Sequence, residues 1–236
     1  MRKTFEVGGL VAAVVLIAFG AVAIAMGVSG RNTVNNSLTS EYITASTDMT
    51  PSAIKAEAKK DGIYSAVKQW PTLSLVDQKT VNGKKVLTGQ SIDTGAKARA
   101  MAMYMHIHAL AATHGFTYAQ MGQFTAKPGT PKSQLEPGGG TSNPAYAATD
   151  PKTQGPMSNG ARNVWVTYNA LGTALNTSYM AAQLGLFGIV VGIALLLSGF
   201  GFAILAIGGA LRNPQTAVSF LRRFARNHKT PAVPVA

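Results

Sequence analysis

The sequence predicts a mainly α-helical membrane protein in which two transmembrane helices bracket a small external domain. Three observations predict this class. Two long runs, residues 7–28 and 181–211, contain no charged side chain, and basic residues flank both of them. The roughly 150 residues between the runs are polar enough to form one modest domain, predicted to hold helices, a β-hairpin and a long Pro/Gly-rich loop. Because the chain has no cysteine, that domain uses neither disulfides nor thiolate metal ligands.

The first run is long enough to cross a bilayer. At 1.5 Å per residue, residues 7–28 span about 33 Å of helix, against about 30 Å of hydrocarbon. A cleaved signal peptide is the alternative, because the "AIA" at residues 23–25 resembles a cleavage site. The run exceeds a usual signal-peptide core, which favours a retained anchor preceded by a short cytoplasmic N-terminus, residues 1–6.

The second run, residues 181–211, exceeds the hydrocarbon thickness by about ten residues, so it must tilt or continue beyond the membrane. The stretch from Arg162 onward has no proline and can prolong the same helix outward. After the span, residues 212–236 form a basic amphipathic tail, in which Arg222, Arg223 and Arg226 would lie against anionic lipids.

Basic residues near the spans predict the orientation. Arg2 and Lys3 precede the first span, and the tail carries several arginines and no acid. Both termini are therefore predicted to be cytoplasmic and residues 29–180 external. The net charge of +12 is divided between the two sides, and no nucleic-acid-binding motif accompanies it, so a nucleic acid partner is not expected.

Local signals divide the external domain. Residues 34–48 can continue the first helix. A short helix begins at Pro51, capped by Thr50, and ends at Asp61-Gly62. Asn82-Gly83, between two short apolar runs, indicates a hairpin turn. The Ala- and Met-rich residues 97–113 should form a helix that closes at Gly115.

Residues 126–160 have a different composition. They hold six of the eleven prolines, six glycines and few large apolar side chains. Such a segment buries too little surface to offset its chain entropy, so we expect a mobile loop that becomes ordered only against other protein chains.

The histidines of residues 97–113 do not form an obvious metal site. On a helix, His106 and His108 point about 160° apart, and the HExxH pattern is absent. Met101, Met105 and His108 do share a stripe, and their thioether and imidazole groups suit copper. The preferred interpretation is a packing face in which methionine fills gaps. Nucleotide-binding and hydrolase motifs are also missing, so neither catalytic residues nor a cofactor are predicted.

Small residues recur along one face of each span. At 100° per residue they fall on one stripe, which permits close helix packing. These positions are Gly185, Gly188, Gly192, Gly199, Ala203 and Ala206 in the second span, and Gly9, Ala13 and Gly20 in the first. Two arrangements stay open: the spans pair with one another, or they present these faces to other subunits.

Three stretches carry a family resemblance: "VNNSLTSEYITASTD", "HALAATHGFTYAQM" and "ALNTSYMAAQLGLFGIVVGIALLLSG". They resemble two-span membrane proteins of high-GC Gram-positive bacteria that are labelled "aromatic ring-opening dioxygenase". The resemblance covers the two spans and about half of the external domain. The resemblance implies a location in a bacterial plasma membrane and a two-span topology. It implies no particular chemistry.

The sequence as a whole predicts a non-catalytic accessory subunit of a larger integral membrane complex, of the oxidase or membrane monooxygenase type. Its partners would be other membrane subunits, reached through the spans and the external loop. Two alternatives are an external copper-handling protein that uses the Met/His stripe, and a stand-alone envelope protein that binds a polymer or lipid through its basic domain.

Overall fold

The computed structural model describes residues 2–208 and is mostly helical. It divides the chain into two compact units, one formed by Met1–Arg31 with Leu184–Ala236 and the other by Asn32–Gln183. The first consists of the apolar parts of two long helices. The second is a small domain of helices with two short two-stranded sheets. The predicted tail with Arg222, Arg223 and Arg226 lies outside the described residues.

The two long helices, α1 (Arg2–Ser40) and α4 (Gly160–Ile207), are long and apolar enough to cross a membrane. In each of them only 17% of the most apolar 18-residue window is buried within the protein. Both helices extend well beyond the apolar runs, α1 to Ser40 and α4 back to Gly160, because no proline interrupts the polar parts. The prediction of two long apolar helices is confirmed.

Two shorter helices form close to the predicted ranges. In α2 (Pro51–Lys60) the Thr50 hydroxyl accepts a hydrogen bond from the Ala53 N–H at 3.2 Å, and the chain leaves the helix at Gly62, with φ +71°. The next helix, α3 (Gly95–Ala112), begins two residues before the predicted start because Thr94 caps it.

The predicted hairpin is present. Strands β1 (Val76–Val81) and β2 (Lys84–Gly89) pair antiparallel around Asn82 and Gly83. Both turn residues have positive φ, 51° and 77°. A two-residue turn of this kind has a backbone twist that matches the right-handed twist of the flanking strands.

One hydrophobic core holds the second unit together. α2, α3 and the first part of α4 contribute to it, and its completely or almost completely buried side chains include Ile54, Leu75, Ile92, Tyr104 and Ile107. The Tyr104 hydroxyl donates a hydrogen bond to the Leu73 carbonyl at 3.0 Å, so its buried polar end is satisfied.

The Pro/Gly-rich segment differs from the expected mobile loop, because the chain itself orders it. Strands β3 (Phe124–Thr125) and β4 (Gly140–Thr141) pair, and backbone hydrogen bonds join Lys127 to Tyr146 and Thr125 to Met157. The expectation considered only apolar burial. Backbone pairing and turns supply the order here, since glycines at positive φ let the strands reverse.

Buried Asn159 links this segment to α4. Its side-chain amide donates to the Gly122 carbonyl at 2.9 Å, while its carbonyl oxygen accepts from the Ala161 N–H at 3.1 Å. One side chain therefore ties the end of the Pro/Gly-rich segment to the chain just before its start and also caps the first turn of α4.

Candidate functional site

The small-residue faces of α1 and α4 pack against one another in the first unit. A Cβ built on Gly20 would lie 2.8 Å from the Gly192 carbonyl oxygen, and one on Gly27 would lie 2.5 Å from that of Gly185. A Cβ on Gly199 would lie 3.0 Å from the Ala13 carbonyl. The residue numbers of the partners in α4 decrease as those in α1 increase, so the two helices are antiparallel. At Gly20, Gly27 and Gly199 a larger side chain would collide with the facing backbone.

The other predicted packing residues lie on the same face. Gly9, Ala13 and Ala206 are buried, and Ala203 is half-buried. Gly188 has more room, since a Cβ there would meet the Ala23 carbonyl at 3.5 Å. The structure thus brings the two predicted faces together within one chain. Large apolar side chains such as Phe19, Leu184 and Phe187 point outward and are exposed.

The histidines of α3 lie in different environments, as the helical spacing predicted. His106 lies against the rings of Trp165, with a centroid distance of 5.4 Å, and Tyr168, at 5.2 Å. Its Nδ1 atom is buried and has no hydrogen-bond partner within residues 2–208. Burial lowers the pKa of His106 below its ordinary value.

The copper candidates have separate surroundings. Met101 is buried in the hydrophobic core, and Met105 is half-buried against it. The His108 Nε2 atom lies instead near oxygens of Asp48 and Glu57. A packing role accounts for Met101 without a metal.

His108, Asp48 and Glu57 form a cluster of possible metal ligands. The His108 Nε2 atom lies 3.0 Å from Asp48 Oδ2 and 3.9 Å from Glu57 Oε2. One ligand atom from each residue lies within 4.8 Å of the others, and each residue is half-buried. The turn before α2 positions Asp48, α2 positions Glu57, and the packing of α2 on α3 brings both to His108.

Sequence reasoning missed the two acids of this cluster. It considered acids near the histidines along the chain, whereas Asp48 and Glu57 precede His108 by more than fifty residues. The only local signal was the capped helix α2, which fixed where Glu57 lies on its own helix. The facing helix could not be identified from that signal.

Neighbouring groups fix the Asp48 carboxylate. Ser46 Oγ donates a hydrogen bond to Asp48 Oδ1, which leaves Oδ2 facing His108. Burial raises the pKa of the Tyr104 phenol to about 12, and the negative charge of Asp48 contributes to this increase.

A groove of about 540 Å³ lies beside His108, on the face of α3 that meets α4. Its volume is within the range of small-ligand pockets. Apolar side chains line most of it, with a few polar groups, and the lining includes Met105, His108, Asn163, Val164 and Thr167.

The β1–β2 hairpin forms an exposed arm. Every residue from 77 to 88 is exposed, including the apolar Val81, Val86 and Leu87. The core side chains Leu75 and Ile92 hold its base, and the Gln90 carbonyl accepts a hydrogen bond from the Ala45 N–H at 3.0 Å. We call residues 77–88 the arm.

Comparisons of the chain with protein-family models, with curated proteins and with solved structures found no match.

Proposed function

We propose that the chain is a non-catalytic accessory subunit of a larger integral membrane complex. In this proposal the two spans lie in a bacterial plasma membrane, both termini are cytoplasmic, and the unit formed by Asn32–Gln183 is external. The host would be a complex of the oxidase or membrane monooxygenase type. The observation that carries the proposal is the exposed arm.

An isolated two-stranded hairpin is only marginally stable in water, and in the described part of the chain no third strand pairs with the outer edge of either strand of the arm. Val81 and Val86 lie on the same face, since Val81 pairs with Lys84 and Val86 with Lys79. A further protein subunit that covers this face would bury them. The arm has three lysines and one aspartate, which favours an acidic partner surface.

The paired helices serve as an anchor in this account. Because the small-residue faces of α1 and α4 contact one another, they are not available for other subunits. Other subunits would therefore meet the chain through the outer apolar faces of the spans and through the external unit. The basic tail, residues 212–236, would add contact with anionic lipids.

Co-purification with an altered arm tests the proposal. The protein is tagged in its native cell, extracted gently, and its partners are quantified by mass spectrometry. The double variant Val81→Lys, Val86→Lys should lose at least about tenfold of a specific membrane partner, since two charges would enter a desolvated contact. The control Val166→Lys changes a similarly exposed apolar side chain on α4, outside the arm and the Pro/Gly-rich segment, and should retain the partner. Equal recovery in both variants, or no specific partner with the unmodified chain, would contradict the proposal.

A further inference from the structure

The unit formed by Asn32–Gln183 contains a cluster of one imidazole and two carboxylates, groups that commonly bind a ligand. Its three members, Asp48, Glu57 and His108, come from the turn before α2, from α2 and from α3. The accessory role proposed above does not use them. The cluster is not explained by core packing either, since all three side chains are polar and half-buried.

The contact between His108 and Asp48 lacks the geometry of a hydrogen bond. Although the Nε2 and Oδ2 atoms are 3.0 Å apart, Nε2 is buried from solvent and has no hydrogen-bond partner among the described residues. If the imidazole and the carboxylate formed a simple ion pair, the imidazole N–H would be expected to point at the carboxylate oxygen. Two ligand atoms that both point at one metal ion need no such alignment with each other.

The distances suit two ligands of one ion. For metal–ligand bonds of about 2.1 Å, two ligand atoms of one ion are about 3.0 Å apart at neighbouring corners of an octahedron, about 3.4 Å apart in a tetrahedron and about 4.2 Å apart at opposite corners of an octahedron. The two separations from Nε2, 3.0 Å to Asp48 and 3.9 Å to Glu57, lie within this range. The hydrogen bond from Ser46 to Asp48 Oδ1 is the kind of outer contact that orients a carboxylate ligand.

We propose that Asp48, Glu57 and His108 form a binding site for a divalent first-row transition-metal ion, such as Zn²⁺ or Mn²⁺. One neutral imidazole with two carboxylates suits these ions, whereas the softer Cu⁺ prefers sulfur ligands. Two carboxylates neutralise the charge of one divalent ion, which removes their mutual repulsion. Three protein ligands leave at least one coordination position for water.

The site would also stabilise the external unit. The ion would join the turn before α2, α2 itself and α3, and an ion that binds only the folded chain shifts the unfolding equilibrium toward the folded state. The site does not depend on the arm or on any partner subunit, so a failure of the accessory role would leave it intact.

Metal titration of the purified full-length chain in detergent tests the site. After chelator treatment, Zn²⁺ and Mn²⁺ are titrated by isothermal calorimetry, and bound Mn²⁺ is measured by electron paramagnetic resonance. We expect one ion per chain and a higher thermal midpoint with the ion bound. Asp48→Asn, Glu57→Gln and His108→Gln should each weaken binding at least about tenfold.

Two controls separate the site from nonspecific uptake. Asp61→Asn removes an acid at the end of α2, and His114→Asn removes an exposed histidine just after α3; both should bind as the unmodified chain does. Each ligand variant must keep the far-UV circular dichroism of the unmodified chain, and the three isosteric or near-isosteric changes provide independent tests. No saturable uptake by the folded chain, or equal affinity in ligand and control variants, would overturn the proposal. X-ray absorption that shows sulfur ligands would also overturn it.

Discussion

A single methyl group on α4 tests the packing of the helix pair. In Gly192→Ala the new Cβ would lie 2.7 Å from the Gly20 carbonyl oxygen and 2.6 Å from Ile24 Cγ1, whereas ordinary contact begins at 3.4 Å. The helices must therefore separate by about 0.7 Å near this level. A gap of about 0.5–1 Å forfeits a quarter to a half of each van der Waals contact, and overpacking costs about 1–3 kcal/mol.

Gly188→Ala is the matched control. Its Cβ would meet Ala23 O at 3.5 Å and Gly27 Cα at 3.7 Å, both ordinary contacts. Both substitutions gain the same helix propensity, about 1 kcal/mol relative to glycine. The difference between the two variants therefore isolates the packing, and we expect Gly192→Ala to be less stable than Gly188→Ala by about 1–3 kcal/mol.

Unfolding in mixed micelles measures this difference. The chain has no native cysteine, so donor and acceptor dyes can be placed on cysteines introduced at exposed Val7 and Ile204. Energy transfer between the dyes is followed as sodium dodecyl sulfate is added. Gly192→Ala should separate the helices at a lower detergent fraction than Gly188→Ala. Identical transitions in the two variants would refute the close glycine contact.

Three further outcomes are expected. If Met101 and Met105 only pack, the purified protein should hold no stoichiometric copper and Met101→Leu should cost less than about 1.5 kcal/mol; tight copper binding that the change abolishes would contradict this. Asn159→Ala should destabilise the unit formed by Asn32–Gln183 by about 1–2 kcal/mol and speed tryptic cleavage after Lys152, and an unchanged cleavage rate would show that the Asn159 bonds do not order the segment. Because burial lowers the pKa of His106, the unfolded state binds its proton first, so the free energy of unfolding should fall as the pH drops below about 6.5. His106→Gln should flatten this part of the pH profile, and an unchanged profile would exclude His106 as its cause.

Local features of the fold were predictable because neighbouring residues determine them. Thr50 and Pro51 fix the start of α2, and Asn82-Gly83 fixes the turn between β1 and β2. The small-residue stripes were visible for the same reason, since helical periodicity requires only one helix. Which surface each stripe contacts depends on a second helix far along the chain, and the sequence left both arrangements open.

The remaining features depend on contacts between distant segments. The helical angle correctly separated His106 from His108, but the acids near His108 come from another helix. For the Pro/Gly-rich segment, composition indicated too little apolar surface for a core. It carried no information on the backbone pairing or on the buried amide of Asn159, which together order that segment.

Native mass spectrometry of the chain in its own membrane most directly tests the accessory role. Vesicles or polymer-extracted nanodiscs are introduced without prior detergent, and the mass of every assembly that contains the chain is recorded. The account predicts that the 24.6 kDa chain appears in a complex with different membrane subunits, and that the arm variant Val81→Lys, Val86→Lys appears without them. Recovery of the unmodified chain only as a 24.6 kDa monomer, or only as copies of itself, would contradict the accessory role.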